Sequence, residues 1–210
     1  MKIYSPLSIV VRVVIYALLM AGVAGTIRFD AAFPMEDGYF GEVSLTEIFQ
    51  EIILFFLFVF YLIIGYKYPK IQPLANILSV FYLISVIREF NFLISWWIYP
   101  VIVALAVSLY LIIRDIKKLP EASDAFFKQP ASSWFLAGIL VTYIFSRLFG
   151  RSSFWKLLYD ESNYRLAKAA TEEGIELLGD SLMLISAFEF FIFLSALKRQ
   201  KITEPSKKIE

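Results

Sequence analysis

The chain contains neither cysteine nor histidine among its 210 residues. The absence of cysteine excludes a disulfide framework and a thiol nucleophile, and the absence of both residue types excludes the usual zinc sites. Without histidine the chain also has no imidazole to act as a general base. Any ligand binding or chemistry must therefore rest on carboxylates, hydroxyls and basic side chains.

Charged residues are scarce as well. They make up 19% of the chain, whereas hydrophobic residues make up 59% and the mean hydropathy is +0.69. A soluble domain typically contains about 25% charged and about 45–50% apolar residues. The apolar excess lies in runs close to the roughly 20 residues that cross a bilayer as a helix. The sequence therefore predicts an all-α membrane protein, with one transmembrane domain over residues 1–210.

Six transmembrane segments are predicted. The apolar run of the third, residues 74–87, is too short to cross alone, so it must continue through Arg88-Glu89, turn near Asn91 and form a hairpin with the fourth. The first resembles a signal peptide, but Arg12 interrupts it and five more segments follow, which favours an uncleaved signal-anchor. Aromatic and basic residues mix over 150–171, a pattern typical of a helix lying on the outer membrane surface. The predicted spans are 7–27, 44–66, 74–92, 96–113, 132–149 and 174–197.

Basic residues are distributed unevenly between the two sides of this predicted bundle of about six helices. With both termini cytoplasmic, seven of the 20 basic residues lie on the outer side and the other thirteen on the inner side. Because the cytoplasmic loops of membrane proteins are enriched in lysine and arginine, this distribution predicts an N-in/C-in topology. The seven outer residues are Arg28, Arg88, Arg147, Arg151, Lys156, Arg165 and Lys168.

The last predicted span carries acidic residues into an otherwise apolar helix. A carboxylate at the centre of a transmembrane helix costs about 2.5–3.5 kcal/mol on insertion scales, so it usually faces the protein interior and needs a partner. At about 100° per residue, Glu173, Glu176 and Asp180 share one face. Glu189 falls nearly opposite Asp180, either as a lone protonated acid or as a contact in a second interface. We expect Arg12 to snorkel to the inner surface.

Charged residues of other spans fall at the same predicted depth. Arg88 and Glu89 are adjacent and point about 100° apart, so we expect each to pair with another helix rather than with its neighbour. The simplest arrangement is a buried network of acids and arginines in the outer leaflet, with an excess of carboxylates. The candidate ligand- or ion-binding residues are Glu51, Arg88, Glu89, Arg147, Glu173, Glu176 and Asp180.

Helix capping explains some of these acids without a ligand. Residues 44–47 match a capping box, in which the Ser44 hydroxyl and the Glu47 carboxylate bond each other's backbone amides. Thr171, followed by two glutamates, is a candidate N-cap of the last helix. Glu51, Glu176 and Asp180 lie beyond the first helical turn. For them, a structural network and an ion, proton or ligand site remain equal alternatives.

Residues 179–182 spell the GDSL block of a serine esterase family. That chemistry requires a serine on a turn beside a sheet and a histidine base. The block here lies inside a hydrophobic helix of a chain without histidine, so we exclude this reaction. No glycine-rich phosphate loop or basic nucleic-acid-binding face is present either.

Several short blocks of the sequence contain charged residues together with glycine or aromatic residues. They are Glu36-Asp37-Gly38, residues 88–91 (REFN), residues 147–150 (RLFG), Tyr164-Arg165 and residues 172–179 (EEGIELLG). Together they resemble a group of small bacterial inner-membrane proteins of uncharacterised activity. The resemblance covers residues 36–189 and implies a multi-pass protein of the bacterial inner membrane. It implies no activity, but its blocks fall on the same charged residues that the depth argument selects.

Two functions of different classes follow from the sequence. The first is an ion-, proton- or small-ligand-binding protein of transporter type, although no Gly/Pro break or inverted repeat marks a transport site. The alternative is a non-catalytic accessory or scaffold subunit. A carboxylate-dependent hydrolase is a weaker third hypothesis, so we expect no catalytic residues. No cofactor is predicted, although a hard divalent cation would suit an all-oxygen site. The expected partners are the lipid bilayer and a membrane protein or a second copy, and no nucleic acid.

Overall fold

The computed structural model describes residues 6–34, 38–93, 95–160 and 163–203, and the side chains only as far as residue 198. The described chain is built of helices joined by short connections. A 3-10 turn, Phe90–Phe92, extends α3, and a π-helix, Leu140–Phe145, joins α6 to α7. The helices are α1 Pro6–Ala32, α2 Leu45–Lys67, α3 Gln72–Glu89, α4 Ile98–Asp115, α5 Leu119–Phe127, α6 Pro130–Ile139, α7 Ser146–Phe149, α8 Ser152–Trp155 and α9 Tyr164–Thr203.

Six helical stretches of the described chain are long and apolar enough to cross a membrane, which makes this a multi-pass membrane protein. The predicted fold class, an all-α bundle of about six transmembrane helices, is confirmed to that extent. Each predicted span overlaps one of these stretches. They are Pro6–Ala32, Leu45–Lys67, Gln72–Phe92, Ile98–Asp115, Pro130–Phe149 and Tyr164–Lys198.

The bundle has two chemically different ends. We call the acidic end the one at which α2 and α9 begin and α3 and α7 finish, because glutamates of α2, α3 and α9 meet there. The opposite end holds the start of α6 and the short helix α5, whose Phe126 is fully buried. The Phe126 ring packs edge-on against Phe190 and Phe135, at centroid distances of 4.9 and 5.7 Å. An aromatic layer therefore closes the interior at the opposite end.

Helix α9 is the central element of the bundle, and α1 is peripheral. Of the candidate spans, the one in α9 has the largest buried share, 61%, against 6% for α1. A β-carbon on Gly179 of α9 would lie only 2.8 Å from the backbone nitrogen of Thr142, and one on Gly138 would lie 2.7 Å from the Gly179 carbonyl oxygen. These two glycines let α9 and the Pro130–Phe149 span pack backbone against backbone, as small residues do in membrane bundles.

The region between α7 and α9 differs from the expected surface helix over 150–171. Among the described residues between α7 and α9, the short helix α8 is the one helix that forms, and α9 already begins at Tyr164. Trp155 turns inward, where its indole nitrogen donates a hydrogen bond of 2.9 Å to the Phe149 carbonyl. Thr171 is not an N-cap, because it lies within α9 and its hydroxyl donates to the Ala167 carbonyl at 2.8 Å.

Candidate functional site

The acidic stripe of α9 lies inside the bundle, as its spacing predicts. The exposed fraction is 8% for Glu172, 3% for Glu176 and 1% for Asp180, and Glu173 is half-buried. These four residues occupy about two turns of one helix, so their side chains face shared neighbours. Burial of so many carboxyl groups requires cations, protons or hydrogen-bond donors around them.

Arg147 provides the main cationic partner of this stripe. One guanidinium nitrogen lies 2.7 Å from a Glu172 carboxylate oxygen, and the other lies 2.9 Å from Glu176. Lys168, one turn before Glu172, contacts the second Glu172 oxygen at 2.6 Å. Gly150 leaves the necessary room, because a β-carbon there would lie 2.7 Å from the Glu172 carboxyl carbon. Glu172 is thus fully paired, and its role is to join α7 to α9.

Arg88 binds its own neighbour, which corrects the expectation that adjacent residues could not pair. Its guanidinium donates two hydrogen bonds to one Glu89 oxygen, the Nε bond measuring 3.1 Å. The long arginine side chain bends back at the end of α3, so the difference in Cβ direction does not prevent the contact. The same guanidinium lies 3.7 Å from Glu176 and over the ring of Tyr143, 5.6 Å from its centroid. Arg88 therefore also reaches α9, but only at the limit of an ion pair.

Glu47 and Glu173 bring two carboxyl groups into hydrogen-bond contact with each other. The Gln50 amide nitrogen donates to the Glu173 backbone carbonyl at 3.0 Å and lies 3.4 Å from a Glu173 carboxyl oxygen. The remaining charged neighbours of the pair are the acids Glu42, Glu89 and Glu172. No cation of the described residues contacts this carboxyl pair.

The predicted capping box is only half formed. The Ser44 hydroxyl accepts a hydrogen bond of 3.3 Å from the Glu47 backbone amide, as expected for an N-cap. The Ser44 amide donates instead to the Gly41 carbonyl at 2.9 Å, so the Glu47 carboxyl is free to face Glu173. The interpretation of Glu47 as a capping residue is therefore wrong for its side chain.

The start of α2 is capped by the side chain of Asp30, from the end of α1. Its carboxylate, 2% exposed, accepts hydrogen bonds from the Leu45 amide at 2.9 Å and from the Thr46 amide at 2.7 Å. The Thr46 hydroxyl donates to the same group at 2.5 Å. No local pattern predicted this contact, because Asp30 lies at the end of α1, outside the helix that it caps. It ties α1 to the start of α2.

Asp180 lies one turn deeper than Glu176 and makes a single hydrogen bond with the described residues. The Thr142 hydroxyl donates to its carboxyl at 3.1 Å and also approaches the Glu176 carbonyl at 3.4 Å. Thr142 belongs to the π-helix Leu140–Phe145, and such π-bulges occur often at functional sites. This break in the span has no glycine or proline within it, so sequence reasoning missed it.

Glu51 is a predicted site residue that the structure leaves aside. It is half-buried on α2, one turn beyond Glu47, and makes no hydrogen bond or ion pair with any other described residue. Its electrostatic neighbours are the acids Glu89 and Glu42. The structure thus gathers six of the seven candidates, Arg88, Glu89, Arg147, Glu173, Glu176 and Asp180, and adds Glu47, Lys168, Glu172 and Thr142.

Arg12 and Glu189 form a separate contact on the other face of α9. The Arg12 guanidinium lies 2.7 Å from a Glu189 oxygen, and the Tyr16 hydroxyl donates to the second oxygen. Arg12 therefore does not snorkel to the surface as expected, since its side chain is only 14% exposed. Of the two alternatives for Glu189, the interface contact is correct.

The acidic side chains of the cluster are distributed among several different partners. Within the described ranges, no three acidic side chains converge closely enough to hold a metal ion. The carboxylates instead meet arginine, lysine, threonine, glutamine or one another.

Comparison of the chain with protein-family models, with curated proteins and with solved structures gives no significant match. The site must therefore be interpreted from its own chemistry.

Proposed function

We propose that the protein is an ion-binding membrane protein of transporter type, and that the ion is a proton held at the acidic end. The observation that carries this proposal is the contact between the carboxyl groups of Glu47 and Glu173. Two carboxyl groups at hydrogen-bond distance cannot both be ionised, so one proton is shared between them. Like-charge carboxyl pairs of this kind are a recognised means of tuning proton affinity.

The surroundings of this pair leave its negative charge without a basic partner. The charged side chains that face it, Glu42, Glu89 and Glu172, are all acidic, and Gln50 supplies only a neutral amide. The nearby guanidinium groups are bound elsewhere, Arg88 to Glu89 and Arg147 to Glu172 and Glu176. A proton therefore supplies the compensation that no basic side chain provides.

The position of the pair suits exchange with water and transfer to a deeper acid. Glu47 lies in the first turn of α2, near the predicted membrane surface, and is only half-buried. Asp180 lies about 10 Å further along α9 than Glu173, at 1.5 Å per residue. Intramembrane acids at increasing depth are typical of proton relays in transporters. Glu176, paired with Arg147 between these two levels, positions the stripe.

We further propose that the acidic end faces the outside of a bacterial inner membrane, with both termini in the cytoplasm. The distribution of lysine and arginine supports this orientation, since Lys117, Lys118 and Lys128 flank α5 at the opposite end. The chain contains no cysteine, so single cysteines can be introduced at will. A cysteine at Ser153 should react with an impermeant thiol reagent in intact cells, and one at Ser123 only after permeabilisation. The reverse pattern would contradict this orientation.

A scaffold subunit is the second candidate, and one feature favours it. Arg147 bridges Glu172 and Glu176, and Lys168 completes the pairing of Glu172, a pattern that locks helices together without any ligand. In that case the protein would work through a membrane-protein partner or a second copy. The same residues would then affect stability alone.

The pH dependence of unfolding separates these functions. If the folded state holds one proton that the unfolded state releases, the free energy of unfolding falls by about 1.4 kcal/mol per pH unit as the pH rises. Glu173→Gln should flatten this slope by about one proton for the detergent-purified protein. Mg²⁺, Ca²⁺ and Mn²⁺ should leave the unfolding midpoint of wild type unchanged. A cation-specific shift would replace the proton with a metal, and an unchanged slope in Glu173→Gln would favour the scaffold.

A further inference from the structure

The core of the bundle contains hydroxyl groups that lack hydrogen-bond partners. Within the described part of the chain, the buried hydroxyls of Tyr61, Tyr82 and Ser181 bond to no other group. All three residues are fully buried, with 0% exposure. A buried polar group without a partner costs about 1–3 kcal/mol, so three in one core require an explanation.

These hydroxyls lie between the acidic cluster and the opposite end. The rings of Tyr82 and Tyr61 stack at a centroid distance of 5.6 Å and an interplanar angle of 12°. The Tyr82 hydroxyl interacts electrostatically with Asp180 and with Tyr143. Ser181 follows Asp180 directly on α9. Ser181 is therefore next to the deepest acid of the site along α9, and Tyr82 is within the electrostatic reach of that acid.

The remaining polar groups of the core lie further from Asp180, towards the opposite end of the bundle. The Tyr61 hydroxyl lies beside Ser186, without forming a hydrogen bond of good geometry, and the Ser186 hydroxyl donates to the Ala131 carbonyl at 2.7 Å. Ala131 is the second residue of α6, at the opposite end. Glu173, Asp180, Tyr82, Tyr61, Ser186 and Ala131 thus form a series of polar groups through an otherwise apolar core.

We propose that Asp180, Tyr82, Tyr61 and Ser186 form a proton pathway from the acidic end towards the opposite end, completed by internal water molecules. This inference rests on the proposed function, because it supplies the route for the proton held at Glu47 and Glu173. Each transfer passes a proton from one oxygen to the next, while the donor oxygen receives another from behind, so charge and atoms balance. The charged groups that face Asp180 are Glu89, Glu176 and Arg88.

The aromatic layer at the opposite end fits this interpretation. Phe126 and Phe190 belong to the same core cluster as Ala131, the last residue of the series, and both are fully buried. A continuous open channel would dissipate the proton gradient, whereas a series closed at one end passes protons only during brief thermal openings of α5. The pathway therefore conducts protons slowly under a membrane potential alone, unlike an open pore.

Removal of single hydroxyl groups tests the pathway in the full-length protein. Wild type is reconstituted into vesicles of phosphatidylethanolamine and phosphatidylglycerol containing a trapped pH dye, and proton entry is driven by a potassium diffusion potential. We expect Tyr82→Phe and Tyr61→Phe to reduce proton flux about 100-fold, the usual scale for loss of a positioned proton-transfer group. Tyr110→Phe is the matched control, since Tyr110 lies on the exposed face of α4, 61% exposed, and should retain full flux.

The unfolding midpoint of Tyr82→Phe provides a second, independent result. A hydroxyl bonded to internal water loses those bonds on substitution, so the midpoint should fall. Removal of a hydroxyl that has neither a protein partner nor a bound water stabilises the folded state, so the midpoint should rise. A rise, or a flux in Tyr82→Phe equal to wild type, would overturn the pathway while leaving the proton site intact. A wild-type protein that passes no protons would also overturn the pathway, and the pH slope of Glu173→Gln would still decide the proposed function.

Discussion

The buried carboxylates on the two faces of α9 differ in how their negative charge is compensated. At Glu189, one acid meets one arginine and one tyrosine, and the contact closes with its charge neutralised. At the acidic end, the acids of α2, α3 and α9 outnumber Arg88, Arg147 and Lys168, and two of the carboxyl groups face each other. A neutral pair needs nothing more and therefore acts as glue between helices. An unbalanced cluster needs a mobile positive charge, which is the physical basis of the proposed proton site.

The largest effect on stability is expected at the contact between Arg12 and Glu189, where the charges are balanced. Arg12→Met leaves Glu189 buried without its cation and should lower the free energy of unfolding by about 3–5 kcal/mol. Replacement of both residues by methionine should recover most of this loss, because no unpaired charge remains. Chemical unfolding in detergent measures both values. If the double variant were as unstable as Arg12→Met, the contact would not be a simple ion pair.

A smaller effect is expected where α9 touches the π-helix. Gly179→Ala places a methyl group against the Thr142 backbone, so the helices must separate at a cost of about 1–3 kcal/mol. The separation also weakens the hydrogen bond between Thr142 and Asp180. Gly22→Ala is the matched control, since nothing lies within 4 Å of a β-carbon there, and it should be neutral or slightly stabilising. Equal losses in both variants would contradict the close packing of α9.

At the acidic end, the same kind of change should leave stability almost unaltered at pH 7. Glu173→Gln removes one of two carboxyl groups in contact and replaces it with a neutral amide, so the free energy of unfolding at this pH should change by no more than about 1 kcal/mol. The difference from wild type should grow as the pH falls, because only wild type gains stability from the bound proton. The variant should still lose proton binding. A loss as large as that of Arg12→Met would show that both faces of α9 serve as structural glue.

The smallest effect concerns the periphery of the acidic cluster. Lys168→Met removes one of two cations from Glu172, but Arg147 remains at 2.7 Å and Lys168 is partly exposed, at 31%. The loss in unfolding free energy should be below about 1 kcal/mol and should vanish at high salt. A salt titration of the unfolding midpoint for wild type and variant tests this expectation. A large loss that is independent of salt would mean that Lys168 supports the buried network itself.

Hydrophobic runs and charge spacing predicted the class of the protein and most of the cluster. The six spans follow from run length, and the face shared by Glu173, Glu176 and Asp180 follows from helical periodicity. The partner of each charge could not be predicted, because arginine side chains are long and flexible. Arg88 thus forms an ion pair with Glu89, and Arg12 forms one with Glu189. The cap supplied by Asp30 depends on where α1 finishes in space, which no local pattern encodes.

The polar groups of the interior are even less predictable from the sequence than the ion pairs. The π-helix at Thr142 lacks the glycine or proline that usually marks a break. Tyr61 and Tyr82 look like ordinary core aromatics in the sequence, because nothing in their spacing indicates whether a hydroxyl has a partner. Only the packing of α2 against α3 places the two rings face to face.

Infrared spectroscopy of the folded protein tests the central claim most directly. Protein labelled with ¹³C-glutamate separates the carboxyl bands of glutamate from those of Asp180 and the other aspartates. At neutral pH, wild type should show a protonated glutamate band, and Glu173→Gln should lose the intensity of one carboxylic acid. Glu189→Gln is the matched control and should retain the full band, because Glu189 lies in a separate contact with Arg12. A wild-type spectrum without protonated glutamate, or a band unchanged in Glu173→Gln, would contradict a proton shared between Glu47 and Glu173.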